Sequence, residues 1–351
     1  MTDQPPDTFD FVIIGAGAAG EAALELARHE GDSVAVIDKD LFGGSCAYWA
    51  CMPSKSLLHG AAVHHAGGEF PWDKASDFRD WMINREEIDY PSDAGHAARY
   101  ESIGVEAVRG TGRLDGPGRV HVDLTDGGER VLHGEAIIIA VGSHSRIPDV
   151  VGLDGIDAWD NRLGTSTREL PRSLAVLGTG PPGTELAQVY ARYGVPVTLI
   201  ASRDHILPRE HPRSAALVQG ALERDGATVR TNVRVVRVDP RGGSYGAHRL
   251  QLSDGSMAEA HEVLVAAGRS VPLEGLGLES VGIAAEGGLK PDEQLRLAPH
   301  LYVAGDPAGP EMHTHLAHYQ GEMVVRIALG EDVTTDHRAV PRAVFTDPTV
   351  A

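Results

Sequence analysis

The feature that most constrains the fold is a unit of strand, glycine-rich turn, helix and strand that occurs twice in 351 residues. The first copy has an apolar run at residues 11–14, the motif GAGAAG at 15–20, a helical stretch at 21–30 and a second apolar run at 34–37. Short apolar runs of this kind are typical of buried parallel strands. The repeat therefore predicts an α/β chain with two similar halves.

The first glycine motif predicts a dinucleotide-binding site. Gly15, Gly17 and Gly20 let the backbone approach a pyrophosphate, and the start of the following helix supplies unpaired N–H groups and a positive dipole. Asp38 ends the second apolar run and can accept hydrogen bonds from a ribose hydroxyl. A strand, a helix and a terminal acid in the expected places make this motif more specific than its glycines alone.

The second copy begins 163 residues later and differs at one informative position. Gly178, Gly180 and Gly183 repeat the glycine pattern, but Ala201 stands where the first copy has its acid, and Arg203 follows. Loss of a carboxylate and gain of a guanidinium favour a 2′-phosphate. The second unit is therefore predicted to prefer NADPH, with NADH less favoured. Arg209 is a further candidate for the phosphate, and a solvated loop is the alternative for both arginines.

The chain contains only two cysteines, Cys46 and Cys51, and they lie five positions apart just beyond the first glycine unit. We interpret them as a redox dithiol beside a cofactor; two buried core cysteines are the alternative. Lys55, one of four lysines, follows closely. A lysine and a helix N-terminus near a thiol favour the nucleophilic thiolate.

Composition limits the partners. The formal net charge of −19 argues against nucleic acid, which requires a basic surface. The sequence has no apolar run long enough to span a bilayer and no visible secretory signal, so a cytoplasmic protein is expected. The histidines at 313, 315 and 318 lack the further ligands of a closed site, so no metal is predicted.

Several stretches together resemble the class I pyridine nucleotide–disulfide oxidoreductases, the group with dihydrolipoamide dehydrogenase, glutathione reductase and mercuric reductase. The cysteine motif with its glycines and its PSK ending is the most specific of them. In chain order the stretches are residues 15–20 with Asp38, residues 43–55, residues 140–143, residues 178–183 with Glu185, residues 267–269 and residues 301–306.

The resemblance implies two Rossmann-like dinucleotide-binding domains, for FAD and NAD(P), with the second inserted into the first. It implies that Cys51 faces the flavin as a thiolate, that Cys46 attacks the substrate, and that Lys55 lies near the flavin and pairs with Glu185. Asp306 would hold the ribityl chain. The motifs also assign cofactor binding to further residues, namely Gly44, Ser45, Gly142 and Gly268.

The expected domain order is an interrupted one. The FAD-binding domain is predicted at residues 1–150, the NAD(P)-binding domain at 151–284, and the return to the FAD-binding domain at 285–345. Residues 346–351 resemble the lead-in to the C-terminal dimerisation domain of the family, which is expected to be absent. A homodimer is expected only with that domain, as is the histidine that serves disulfide exchange in relatives.

Electrons are predicted to pass from NADPH to FAD, then to the Cys46–Cys51 disulfide, and then to an unknown small-molecule or protein disulfide or a metal ion. Two alternatives remain open. One is a flavin-dependent quinone or dye reductase with a silent dithiol. The other is a redox-sensing flavoprotein that is not an enzyme.

Overall fold

The computed structural model describes residues 7–85 and 90–351 and divides the chain into two compact units. Unit 1 comprises residues 1–46, 92–144 and 271–340, and unit 2 comprises residues 47–91, 145–270 and 341–351. Each unit contains a sheet with parallel strands packed against helices, so the chain is α/β with two Rossmann-like domains, as predicted.

The strands, in chain order, are β1 (Thr8–Ile14), β2 (Val34–Asp38), β3 (Glu106–Leu114), β4 (Arg119–Leu124), β5 (Glu129–Ile139), β6 (His144–Ser145), β7 (Leu174–Leu177), β8 (Val197–Ile200), β9 (Thr228–Arg230), β10 (Val235–Asp239), β11 (His248–Leu252), β12 (Met257–Ala260), β13 (Glu262–Val265), β14 (Arg269–Ser270), β15 (Arg296–Ala298) and β16 (Leu301–Val303).

The α-helices are α1 (Ala18–Glu30), α2 (Gly44–Tyr48), α3 (Cys51–His65), α4 (Trp72–Met82), α5 (Ala94–Ser102), α6 (Asn161–Ser166), α7 (Pro181–Arg192), α8 (Pro212–Arg224) and α9 (Thr314–Ala328).

Unit 1 is built on a seven-stranded sheet in the order β1-β2-β3-β4-β5-β16-β15, with β1 also paired to β5. Strands β3, β2, β1, β5 and β16 run parallel, whereas β4 joins β3 to β5 antiparallel. Helices α1 and α9 pack together; a side chain at Gly321 would lie 2.3 Å from the carbonyl of Ala19. This close packing brings the return segment against the first glycine unit.

Unit 2 contains a four-stranded parallel sheet in the order β13-β7-β8-β9 and a three-stranded antiparallel sheet, β10-β11-β12. Its main core includes residues of α7 and α8, and also Leu57 from α3 and Trp72 from α4. Residues 47–91 therefore cluster with unit 2, although the sequence predicted residues 1–150 as one segment of the FAD-binding domain. Residues 341–351 also cluster with unit 2. The predicted boundaries of the FAD-binding and NAD(P)-binding domains stay a prediction.

The glycine units have the predicted order of elements. The helix expected at residues 21–30 begins earlier, at Ala18. The sequence of the return segment also predicts a helix at residues 321–329, and that helix begins at Thr314. The first turns of both helices consist mostly of small or polar residues, which show no apolar periodicity. The polar sequence at residues 60–100 also predicts helix, and part of this stretch, residues 86–89, lies outside the described residues. Among the helices described, none is both long and apolar enough to cross a bilayer.

Candidate functional site

The first glycine turn is closed so tightly that side chains would not fit. Gly15 has φ +109°, and a Cβ there would lie 2.3 Å from the carbonyl oxygen of Ala140; a Cβ at Gly20 would lie 2.0 Å from the carbonyl oxygen of Gly15. Gly17 precedes α1, and no side chain of the described residues caps that helix. The first-turn N–H groups are therefore left for an anionic ligand.

Asp38 ends β2 with its carboxylate tied to the glycine turn. Oδ2 accepts the N–H of Ala16 at 2.8 Å, and Oδ1 accepts the N–H of Asp40 at 2.9 Å. Burial raises the pKa of Asp38, while these two backbone hydrogen bonds oppose the rise. Nearby, a Cβ on Gly44 would lie 2.6 Å from the Cα of Gly17, so the two backbones meet at a place that excludes side chains.

Asp306 begins a short turn of 3-10 helix after β16, and the Ser143 hydroxyl donates to its carboxylate. The fully buried Gln320 holds this turn: its Oε1 accepts the N–H of Gly305 at 2.9 Å, and its Nε2 donates to the carbonyl of Gly309 at 2.6 Å. The sequence did not indicate Gln320, because a single glutamine inside an amphipathic helix has no pattern of its own.

The residues of unit 1 fit FAD. The uncapped start of α1 suits a pyrophosphate, the half-buried acid at the end of β2 suits a ribose, and a second acid follows β16. The Gly17–Gly44 contact provides a backbone cradle that side chains would fill. Of the other candidates, Ser45 lies in α2, and Gly142 has φ +63° with open space around its Cβ position.

The second glycine turn repeats this geometry in unit 2. Gly178 has φ +111°, and a Cβ there would lie 2.2 Å from the carbonyl oxygen of Ala266; a Cβ at Gly183 would lie 2.3 Å from the carbonyl oxygen of Gly178. Gly180 is the N-cap of α7, and its Cβ position is open. Unlike α1, helix α7 begins with two prolines, Pro181 and Pro182.

The loop after β8 bears both candidate arginines. Ala201 is buried, whereas Arg203 and Arg209 are exposed. The N–H of Leu207 donates to the carbonyl of Thr179 at 2.8 Å, which ties this loop to the glycine turn. Gly268, in the predicted family motif that follows β13, has φ +117°.

Lys55 and Glu185 form an ion pair within unit 2. Lys55 Nζ lies 2.7 Å from Glu185 Oε2, and the Glu185 side chain is only 3% exposed. The N–H of Phe345 donates to the other oxygen, Oε1, at 2.9 Å, and Lys55 Nζ lies 4.7 Å from the centre of the Phe345 ring. Phe345 was not among the predicted site residues, because 160 residues separate it from Glu185.

The two cysteines are half-buried. Cys46 lies in α2 and belongs to unit 1, and Cys51 is the first residue of α3 and belongs to unit 2. Between them Tyr48 and Trp49 are buried, and Asn161 donates to the carbonyl of Trp49 at 2.7 Å. Burial of both rings favours a packing role over a substrate contact.

Within residues 7–85 and 90–351, one trio has ligand atoms close enough to share a metal ion: His121, Asp123 and Glu129. The two carboxylates are exposed, and Arg113 already pairs with Asp123 at 3.0 Å. The trio lies on β4 and β5, and it is not among the predicted cofactor residues.

Comparison with known proteins agrees with this geometry. Residues 9–321 match the family described as pyridine nucleotide-disulphide oxidoreductase. Dihydrolipoyl dehydrogenase 3 of Pseudomonas aeruginosa is 33% identical, over 98% of this chain and 76% of its own length. Mercuric reductase of Streptomyces lividans is 35% identical, over 98% of this chain and 75% of its own length.

A solved structure shows the same fold. The Cu(II) complex of the HOCl-induced flavoprotein disulfide reductase RclA from Escherichia coli superposes with a TM-score of 0.87 at 26% identity, covering 98% of this chain and 76% of that one. The match extends across both glycine units and the cysteine motif. The chain therefore belongs to the pyridine nucleotide–disulfide oxidoreductase family and is an FAD-dependent enzyme of that class.

Proposed function

We propose that this enzyme uses NADPH to reduce a disulfide bond between Cys46 and Cys51, and that the resulting dithiol reduces a disulfide or a metal ion. The observation that carries the proposal is the position of Cys51. It begins α3, one helical turn before Lys55, whose ammonium pairs with Glu185 of the second glycine unit.

The start of α3 supports thiolate chemistry at Cys51. A helix N-terminus carries a partial positive charge, which favours a thiolate, and Lys55, whose ammonium is paired with Glu185, lies one helical turn further along. The Lys55 side chain is held by Glu185 and by the Phe345 ring, so its ammonium has a defined position.

NADPH supplies the two electrons that are needed to reduce the disulfide. NADPH loses a hydride and becomes NADP⁺, which provides two electrons and one proton. The Cys46–Cys51 bond breaks as it takes up these two electrons, this proton and a second proton from solvent. When bound, FAD supplies the two-electron redox chemistry between nicotinamide and sulfur. For a disulfide acceptor, the Cys46 thiolate attacks one sulfur and expels the other as a thiolate; Cys51 then attacks the mixed disulfide, releasing the second thiol.

The preference for NADPH is supported by the loop after β8. A buried alanine follows the strand where the FAD unit has Asp38, so there is no carboxylate at that place to repel a phosphate. Arg203 and Arg209 lie exposed in the same loop. A guanidinium forms strong charge-assisted hydrogen bonds to phosphate oxygens.

A quinone or dye reductase with a silent dithiol is the competing function. NADPH titration of the FAD-loaded protein and of its Cys51→Ser variant separates the two. The proposal expects a long-wavelength thiolate-to-flavin absorption band in the reduced wild type that disappears in Cys51→Ser. Bleaching of the flavin without that band supports the quinone reductase. No reduction by NADPH supports the redox-sensing alternative and contradicts the proposal.

A further inference from the structure

The two glycine units differ in how many backbone donors they offer to a pyrophosphate. At the start of an α-helix the N-cap and the first three residues have N–H groups without partners inside the helix. For α1 these are Gly17, Ala18, Ala19 and Gly20, and the first intrahelical bond is donated by Glu21 to Gly17. All four residues have an N–H group.

The corresponding positions of α7 are Gly180, Pro181, Pro182 and Gly183, and the first intrahelical bond is donated by Thr184 to Gly180. Proline has no N–H, so two of the four donors are missing. The prolines suit the helix itself, because their fixed φ matches its first turn. Their effect therefore falls on the ligand rather than on the fold.

Apart from the two prolines, the second glycine turn has the same geometry as the first. Gly178 makes the same close approach to a neighbouring strand end as Gly15 does in unit 1, and the Cβ position of Gly180 is open. The turn is thus shaped for a pyrophosphate while its donor set is halved. Hydrogen bonds from N–H groups to a charged oxygen are among the stronger ones in proteins, so their loss weakens binding.

We infer that Pro181 and Pro182 are affinity-determining residues that weaken the binding of the nicotinamide dinucleotide through its pyrophosphate. The inference rests on the proposed use of NADPH by this site. Both dinucleotides contain the same pyrophosphate, so the prolines act equally on NADPH and NADH. Discrimination between them remains with the arginines of the loop after β8.

The test restores the two missing backbone N–H donors by replacing both prolines with alanine. The double variant Pro181→Ala/Pro182→Ala is compared with wild type, both loaded with FAD, by isothermal titration with NADP⁺, NAD⁺ and adenosine 2′-monophosphate. The last probe contains the 2′-phosphate but no pyrophosphate. Pro212→Ala is the matched control, because Pro212 also stands in the first turn of a helix of unit 2 but is not part of the glycine turn.

We expect the double variant to bind NADP⁺ and NAD⁺ each roughly ten-fold more tightly than wild type, from one or two added bonds to charged oxygens. Binding of adenosine 2′-monophosphate and the behaviour of Pro212→Ala should match wild type. Unchanged or weaker dinucleotide binding by a double variant that keeps its circular dichroism spectrum overturns the inference, as does equal tightening of the 2′-monophosphate. If neither protein binds either dinucleotide, the proposed nicotinamide site itself is wrong, and the inference falls with it.

Discussion

Lys55 and Glu185 meet at 2.7 Å, although 130 residues separate them in the chain. The glutamate side chain is almost fully buried, and its second oxygen accepts the N–H of Phe345. A buried carboxylate requires such partners, because leaving it unpaired away from water is unfavourable. Glu185 therefore links α3, α7 and the segment at 341–351 within unit 2.

Removing the lysine charge should destabilise the protein. In Lys55→Met the Glu185 carboxylate loses its ionic partner, and we expect the free energy of unfolding to fall by about 1–2 kcal/mol, less than for a fully buried pair because the lysine is partly exposed. Urea unfolding followed by circular dichroism measures this. Lys74→Met is the control, since Lys74 lies over the ring of Phe70 in the same way but has an exposed backbone acceptor. Equal losses in the two variants would contradict the prediction.

The purified protein should be yellow with non-covalently bound FAD, and its affinity should depend on Asp38. Asp38→Asn keeps one acceptor oxygen but loses the charge and the second acceptor. We expect the FAD dissociation constant, from flavin fluorescence of the reloaded apoprotein, to rise roughly ten-fold. Asp115→Asn, at an exposed carboxylate paired with Arg119, should bind FAD like wild type. A folded apoprotein that never takes up FAD would defeat the prediction.

Flavin reduction should be faster at low concentrations of NADPH than of NADH. One charge-assisted bond to the 2′-phosphate corresponds to a preference of roughly ten- to a hundred-fold. Stopped-flow reduction with both cofactors measures the ratio, which should fall in Arg203→Ala and remain in Arg241→Ala, an exposed arginine elsewhere in unit 2. An unchanged ratio in Arg203→Ala would exclude that arginine as the phosphate ligand.

The Glu21–His96 pair of unit 1 should make stability depend on pH. The hydrogen bond that His96 donates to the Glu21 carboxylate raises the pKa of His96 above 6.5, although burial opposes the rise. Burial by itself would raise the pKa of Glu21, but the hydrogen bond and charge of His96, together with the hydrogen bond from Tyr100 and the charge of His318, outweigh it, so the pKa lies below 4.5.

Protonation of His96 and of Glu21 is coupled to folding, so each pKa shift changes the stability in a defined pH range. A histidine with a raised pKa adds stability that is complete below pH 6.5 and disappears as the pH rises through the folded-state value. A carboxyl with a lowered pKa adds stability above pH 4.5 that disappears as the pH falls through its folded-state value. The urea midpoint of wild type should therefore exceed that of His96→Gln by the largest amount between pH 4.5 and pH 6.5. His29→Gln, on the exposed end of α1, is the control, and it should change the urea midpoint little.

Two aspartates of α4 should differ sharply in their effect on stability. Asp80 is nearly buried and pairs at 2.7 Å with Arg79, whose side chain is fully buried. Asp80→Ala leaves that guanidinium without its ionic partner, so we expect a loss of about 3–5 kcal/mol in unfolding free energy. Asp77→Ala removes an exposed partner of Arg168 and should change it by less than about 1 kcal/mol. Similar unfolding midpoints for the two variants would refute this.

The glycine turns could be predicted because their requirements are local. Gly15 and Gly178 both have positive φ and both lie against a neighbouring carbonyl, so the residue type itself records the geometry. Asp38 was likewise predictable, since it is the acid at the end of a buried strand. The strand and helix pattern around these positions was sufficient to predict the fold class.

Other features were decided only by tertiary packing. Phe345 contacts Glu185 although the two residues are far apart in the chain. Gln320 binds the turn that contains Asp306, but no periodic pattern marks this glutamine in the sequence. The membership of α3 and α4 in unit 2 depends on which core accepts Leu57 and Trp72. Local backbone sterics act through a few neighbouring residues and are visible in the sequence, whereas these contacts depend on how distant apolar surfaces pack, which only the folded chain determines.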